Sequence, residues 1–122
     1  MSNINNDEVK SIIFDLSKSL ILPKYKRLKE SDIKLKNKAD FVTTVDIEVE
    51  NELEKILLKL LPNSLFVGEE SYSRNPNIIS FYKENKYCWT VDPIDGTKNF
   101  IKGNDKFAVM IGLTFKDTIL QS

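Results

Sequence analysis

Tyr87-Cys88-Trp89-Thr90-Val91-Asp92-Pro93-Ile94-Asp95-Gly96-Thr97 reads as a strand that delivers two carboxylates into a constrained turn. Tyr87 to Val91 is built from residues that favour a pleated, half-buried backbone. Asp92 and Asp95 follow, three residues apart. Pro93 fixes the turn leaving the strand, and Gly96 permits a positive φ or a close approach of backbone to a ligand. In such a turn Asp92, the Ile94 carbonyl and Asp95 can converge on one small volume. Gly96 and Thr97 can then present N–H groups at the head of Lys98-Asn99-Phe100, a place that suits an anion. Two cations about 4 Å apart, sharing a carboxylate, would hold a phosphate ester there and ionise an attacking water.

Outward from this stretch the chain sorts into helices first and strands after. Val9, Ile12, Ile13, Leu16 and Leu20 form a helical stripe with Asn6 or Asp7 as its cap, and Pro23 kinks or ends it. Lys24 to Lys38 is basic (Lys24, Lys26, Arg27, Lys29, Lys34, Lys36, Lys38) and reads as a solvated connection, one or two of whose lysines would lean toward an anion. A second helix runs from about Asp46 to Leu61 on the stripe Val49, Leu53, Ile56, Leu57, Leu60. Pro62-Asn63 closes it, and Thr43-Thr44-Val45-Asp46 offers oxygens to cap it. Ser64 to Gly68 is a short buried strand ending in Gly68-Glu69-Glu70-Ser71. Residues 72 to 86 read as a polar loop with one helical turn near Phe81-Tyr82. Phe107 to Phe115 is a longer strand, turned by Asp117-Thr118 into Ile119-Leu120. With no βαβ alternation, the order predicts an α+β fold: two helices on one face of a mainly antiparallel sheet.

Composition narrows the chemistry. The 122 residues suffice for one domain with a real core, and 41% hydrophobic against 30% charged residues fits a globular chain. Eighteen basic and eighteen acidic residues cancel, so nothing points to nucleic acid or a bilayer surface. The first residues lack the pattern of a secretory leader, no run is long enough to span a membrane, and the lone Cys88 rules out an internal disulfide. These point to a cytoplasmic domain. There is no histidine. Ser-His-Asp and Cys-His catalysis and His-ligated zinc are therefore unavailable, and a metal site here would be all oxygen, as Mg²⁺, Mn²⁺ or Ca²⁺ prefer.

Trp89-Thr90-Val91-Asp92-Pro93-Ile94-Asp95-Gly96-Thr97-Lys98-Asn99-Phe100 resembles the motif of the inositol monophosphatase family, Mg²⁺-dependent and lithium-sensitive phosphatases that include histidinol-phosphatases and 3′,5′-bisphosphate nucleotidases. Gly68-Glu69-Glu70-Ser71 and Asp40-Phe41-Val42-Thr43-Thr44-Val45-Asp46 match its two upstream segments in order. The resemblance implies roles by position. Glu69 would ligate a first metal and orient the water. Asp92 would bridge two metals, the Ile94 carbonyl would complete the first site, and Asp95 would bind the second. Gly96 and Thr97 would hold the phosphate, and the Thr97 hydroxyl, paired with Asp46, would help activate the water. Glu70 is expected nearby without ligating, and Cys88 and Trp89 in the core. The implied cofactor is Mg²⁺, the partner a small phosphorylated metabolite such as an inositol monophosphate, and the assembly a homodimer.

Members of that family carry a second, C-terminal domain of similar size that supplies a further aspartate ligand and most substrate contacts. The resemblance covers nearly all of residues 1–122 but only the first half of the family architecture, so the expected unit is an N-terminal metal- and phosphate-binding domain without the C-terminal one. A metal-binding fragment that turns nothing over is the competing reading.

Overall fold

The computed structural model describes residues 5–35, 41–116 and 118–121, the last four as backbone. Helix α1 spans Asn6–Leu16. Its cap is Asn5, one residue earlier than expected, whose side-chain oxygen accepts from Asp7 N–H at 2.8 Å. The helix does not run unchanged to Pro23: it widens into a π-helical turn over Ser17–Ile21, with Leu22 N–H donating to the Ser17 carbonyl at 2.8 Å. Pro23, which has no N–H for a further turn, follows at once. Val9, Ile12, Leu16 and Leu20 still lie against the core, as their spacing requires.

The basic stretch is more structured than a connecting loop. A 3₁₀ turn, Glu30–Asp32, leads into β1 (Ile33–Leu35), which pairs antiparallel with β2 (Phe41–Thr43). Lys34 within it and Lys36 after it hide this three-residue strand from pattern reading. Lys36, Lys38 and Asp40 lie outside the described residues, as does Asp117. Lys24 is held 3.5 Å from Asp32, and Lys26 sits over the Tyr25 ring.

Helix α2 runs from Thr44 to Leu60. Thr43, not Asp46, is its cap. Thr43 Oγ1 accepts from Asp46 N–H while the Asp46 carboxylate reaches back to Thr43 N–H, a reciprocal capping box. The buried face of α2 carries Val45, Val49, Leu53 and Leu57, each no more than 2% exposed. It packs on Trp89, Val91 and Phe66 of the sheet.

That sheet has the order β3-β4-β5-β6: Leu65–Gly68, Tyr87–Asp95, Ala108–Phe115 and Thr118–Gln121. Two of its three pairings are antiparallel, in keeping with the expected class. The expectation of no βαβ unit fails at one place. β3 and β4 are parallel, joined by α3 (Glu69–Arg74) and a 3₁₀ helix over Pro76–Lys83. These helical turns fill the stretch read as loop, and they bury little apolar surface, which is why no periodicity betrayed them.

Candidate active site

β4 does not end before Pro93. It continues to Asp95 through a bulge, since Asp92 pairs with Met110 and Asp95 with Ala108, three steps on one strand against two on the other. In a regular strand, residues three apart face opposite sides. The extra residue restores Asp92 and Asp95 to one side, and proline is tolerated because the bulge interrupts the hydrogen-bond ladder. Gly96 follows at φ +91°, and a Cβ there would lie 2.7 Å from the Lys106 carbonyl oxygen. It starts α4 (Thr97–Ile101), whose Phe100 is fully buried beside Tyr25 and Phe107. The Tyr25 hydroxyl donates to the Gly103 carbonyl at 2.9 Å, so the basic segment braces the far end of this helix.

Glu69, Asp92, Ile94, Asp95, Gly96 and Thr97 line one cavity of about 330 Å³, together with Phe41 and Lys98. Asp46 is absent from the lining because it is wholly buried, but Thr97 reaches it: Oγ1 lies 3.0 Å from Asp46 Oδ1 and 3.0 Å from the Ile94 carbonyl. A larger apolar groove of about 1050 Å³ shares Glu69 and Asp92 and is walled by Val67, Tyr72, Ile79, Tyr82 and Met110.

Burial pushes Asp92 up to about 8, with the neighbouring Glu69 and then Asp95 carboxylates adding to the rise. Its Oδ1 is buried without a hydrogen-bond partner. Burial also raises Asp46, opposed by the bonds it takes from Thr43 and Thr97. Among the described residues no three Asp, Glu or Cys side chains converge as a finished metal cage. The donor set nevertheless fits a hard divalent cation. It is all oxygen, it crowds negative charge, and it leaves one buried carboxylate oxygen unsatisfied, a group that costs stability until a proton or cation meets it.

Two features escaped sequence reading. Lys98, to which the sequence alone assigns no role, lines the cavity. Glu50 is 2% exposed and accepts from the N–H groups of Glu70 and Ser71, each at 2.8 Å. Its signal was present: a carboxylate four residues after Asp46, inside the buried stripe of α2. Glu70, expected near the site without ligating, is itself buried.

Comparison with known proteins identifies the family. The inositol monophosphatase family model matches residues 5–121. The chain belongs to the inositol monophosphatase family. It is 37% identical to the fructose-1,6-bisphosphatase/inositol-1-monophosphatase of Aquifex aeolicus over 71% of its own length and 30% of that protein's. It is 36% identical to the Nus factor SuhB of Pseudomonas aeruginosa over 80% of its length and 34% of that protein's. The Thermotoga maritima IMPase structure superposes with a TM-score of 0.75 at 20% identity, over 93% of this chain and 41% of that one. The chain thus spans about a third of the length of these curated relatives.

Proposed function

We propose that this chain carries the metal- and phosphate-handling half of a phosphatase that hydrolyses a small phosphate monoester of inositol monophosphate type with Mg²⁺. The observation that carries the reading is the shared cavity of Glu69, Asp92, Ile94, Asp95, Gly96 and Thr97, drawn from two separated stretches and linked through Thr97 to a third at Asp46. Relatives named for inositol-1-phosphate and fructose-1,6-bisphosphate support a phosphorylated polyol or sugar as substrate. Histidinol phosphate and adenosine 3′,5′-bisphosphate are the alternatives within the family. A cytoplasmic setting and a homodimer belong to the same proposal.

Glu69, Asp92, the Ile94 carbonyl and Asp95 would hold the cations. Bound there, divalent cations neutralise phosphate charge and bring the ionisation of water toward neutral pH. The chain's own part is positioning and proton acceptance. Thr97 sits between the cavity and the buried Asp46, so a proton given up in the cavity can pass through the Thr97 hydroxyl to Asp46 Oδ1. Burial makes Asp46 a stronger acceptor than an ordinary aspartate. Gly96 and Thr97 N–H groups would meet the phosphate.

The test is phosphate release from inositol phosphates, sugar phosphates, histidinol phosphate and adenosine bisphosphate, with and without Mg²⁺, alongside Asp95→Asn. Release that needs both Mg²⁺ and Asp95 supports the reading. Metal binding without release supports the competing reading, a domain that binds metal and turns nothing over.

A further inference from the structure

We infer that Glu50 is a positioning residue for Glu69: its buried carboxylate grips the two N–H groups that follow Glu69 and so sets where the metal-binding side chain stands. The inference rests on the metal reading above and names a residue that reading does not use.

A helix leaves its first N–H groups without internal partners, and a side chain at the capping position normally meets them. In α3 the capping position is Gly68, which has no side chain. Glu50 supplies the missing acceptor from a different helix: Oε1 takes Glu70 N–H and Oε2 takes Ser71 N–H, both at 2.8 Å. Gly68 is glycine for a matching reason. A Cβ at position 68 would fall on the Glu50 carboxyl group, 2.6 Å from Oε2 and closer still to Cδ and Oε1. Ser71 Oγ closes the turn by donating to the Gly68 carbonyl at 3.0 Å and lying 2.9 Å from Gly68 N, whose N–H it accepts.

α3 has six residues, of which only Glu70 is buried, so apolar packing does little to orient it. Glu69 is its first residue and exposed at the cavity. How the first turn is held therefore sets the backbone position from which the Glu69 side chain reaches the cavity. Both oxygens of Glu50 are occupied by N–H donors. Gln at this position would point an NH₂ at one of those donors, leaving one N–H unmet and the turn free to tilt.

Glu50 also lies one helical turn from Asp46, so the two carboxylates leave α2 on the same side. Asp46 reaches Thr97 at the head of α4, and Glu50 reaches the head of α3. One face of α2 thus registers the phosphate-side and metal-side segments against each other.

The experiment uses the 122-residue chain with Mn²⁺ as the probe, comparing wild type, Glu50→Gln and, as a control on an exposed neighbour, Glu48→Gln. Mn²⁺ affinity is measured by calorimetry, the bound metal by EPR, and exchange of the Glu70 and Ser71 amides by NMR. Glu50→Gln is expected to weaken Mn²⁺ binding by about tenfold or more, to change the EPR line shape at saturation, and to speed exchange at Glu70 and Ser71 while Leu53 and Leu57 stay protected. Glu48→Gln should match wild type throughout. A folded Glu50→Gln with wild-type affinity and line shape overturns the inference. Should Glu50→Gln fail to fold, Glu50→Asp, one methylene too short to reach both N–H groups, takes its place: weakened Mn²⁺ binding supports the role and wild-type binding overturns it. A wild-type chain that binds no Mn²⁺ overturns the metal reading and this role together; wild-type binding with an indifferent Glu50 variant overturns this role alone.

Discussion

Thr97 Oγ1 stands 3.0 Å from Asp46 Oδ1, across 51 positions of sequence, and equally 3.0 Å from the carbonyl of Ile94. A hydroxyl has one hydrogen to donate, so the two acceptors compete for it. A cation on the Ile94 carbonyl would turn that hydrogen toward Asp46. The capping residue pair of α2 is thereby wired to the mouth of the cavity.

Removing that link should be felt in stability before activity is considered. Thr97→Val takes away the partner of a fully buried carboxylate oxygen, and a loss of about 1–3 kcal/mol is expected. Thr97→Ser, which keeps the hydroxyl, should lose well under half as much. Urea unfolding of the two variants beside wild type measures both; a Thr97→Val variant as stable as wild type, or less affected than Thr97→Ser, would show that the hydroxyl link contributes little.

The metal-free chain should become less stable as pH rises. Asp92 has its folded value raised from 3.8 to about 8, so the fold favours its neutral form. Its contribution is whole below about pH 4 and is lost as pH climbs through about 8. Melting temperatures in chelator should fall between pH 5 and pH 8.5, and Asp92→Asn should flatten part of the slope. Buried Asp46 and Glu50, also raised, act with the same sign and account for the remainder. Divalent metal should bind with proton release below about pH 8, read by calorimetry in buffers of different ionisation enthalpy.

Gly96→Ala is expected to cost at least about 1–2 kcal/mol from the left-handed backbone alone, with more from the clash at the Lys106 carbonyl. Chemical denaturation reads the loss. A neutral result would mean that the Asp92–Thr97 turn relaxes freely, and the bulge would then not be a rigid holder of the site.

Cys88 should be inert in the folded chain. It is wholly buried, and burial, followed by the charge of Glu84, pushes its thiol up to about 11. A disulfide reagent at pH 8 is expected to react more than about tenfold slower with native chain than with chain in urea. Rapid labelling without denaturant would refute the placement of this residue.

Periodicity carried the long elements: α2, the β5 strand and the packing stripe of α1 all follow from spacing of apolar residues. The grouping of Glu69 with Asp92 and Asp95 came from the resemblance of their two motifs to a known family, and the three residues do line one cavity. What pattern could not show was anything decided by a partner far away in the chain. β1 exists because β2 pairs with it, and Lys34 within it and Lys36 after it disguise it. The parallel β3–β4 pairing is fixed by a crossover whose own helices bury little. The bulge at Pro93 looked like a turn, since proline ends most strands and only the register with β5 reveals that this one goes on. The place of Glu50 in the buried stripe of α2 was legible, but not its partner, which is the backbone of α3.

The four-residue interval between Asp46 and Glu50 behaves as a ruler that tolerates no change of length. Adding or deleting one residue there would swing one carboxylate about 100° around the helix axis relative to the other. Either Thr97 or the Glu70–Ser71 turn would then lose its anchor. Variation in this stretch should therefore come as replacement of residues and never as insertion or deletion, whereas the exposed turn at Pro62–Asn63, outside both anchors, can lengthen freely.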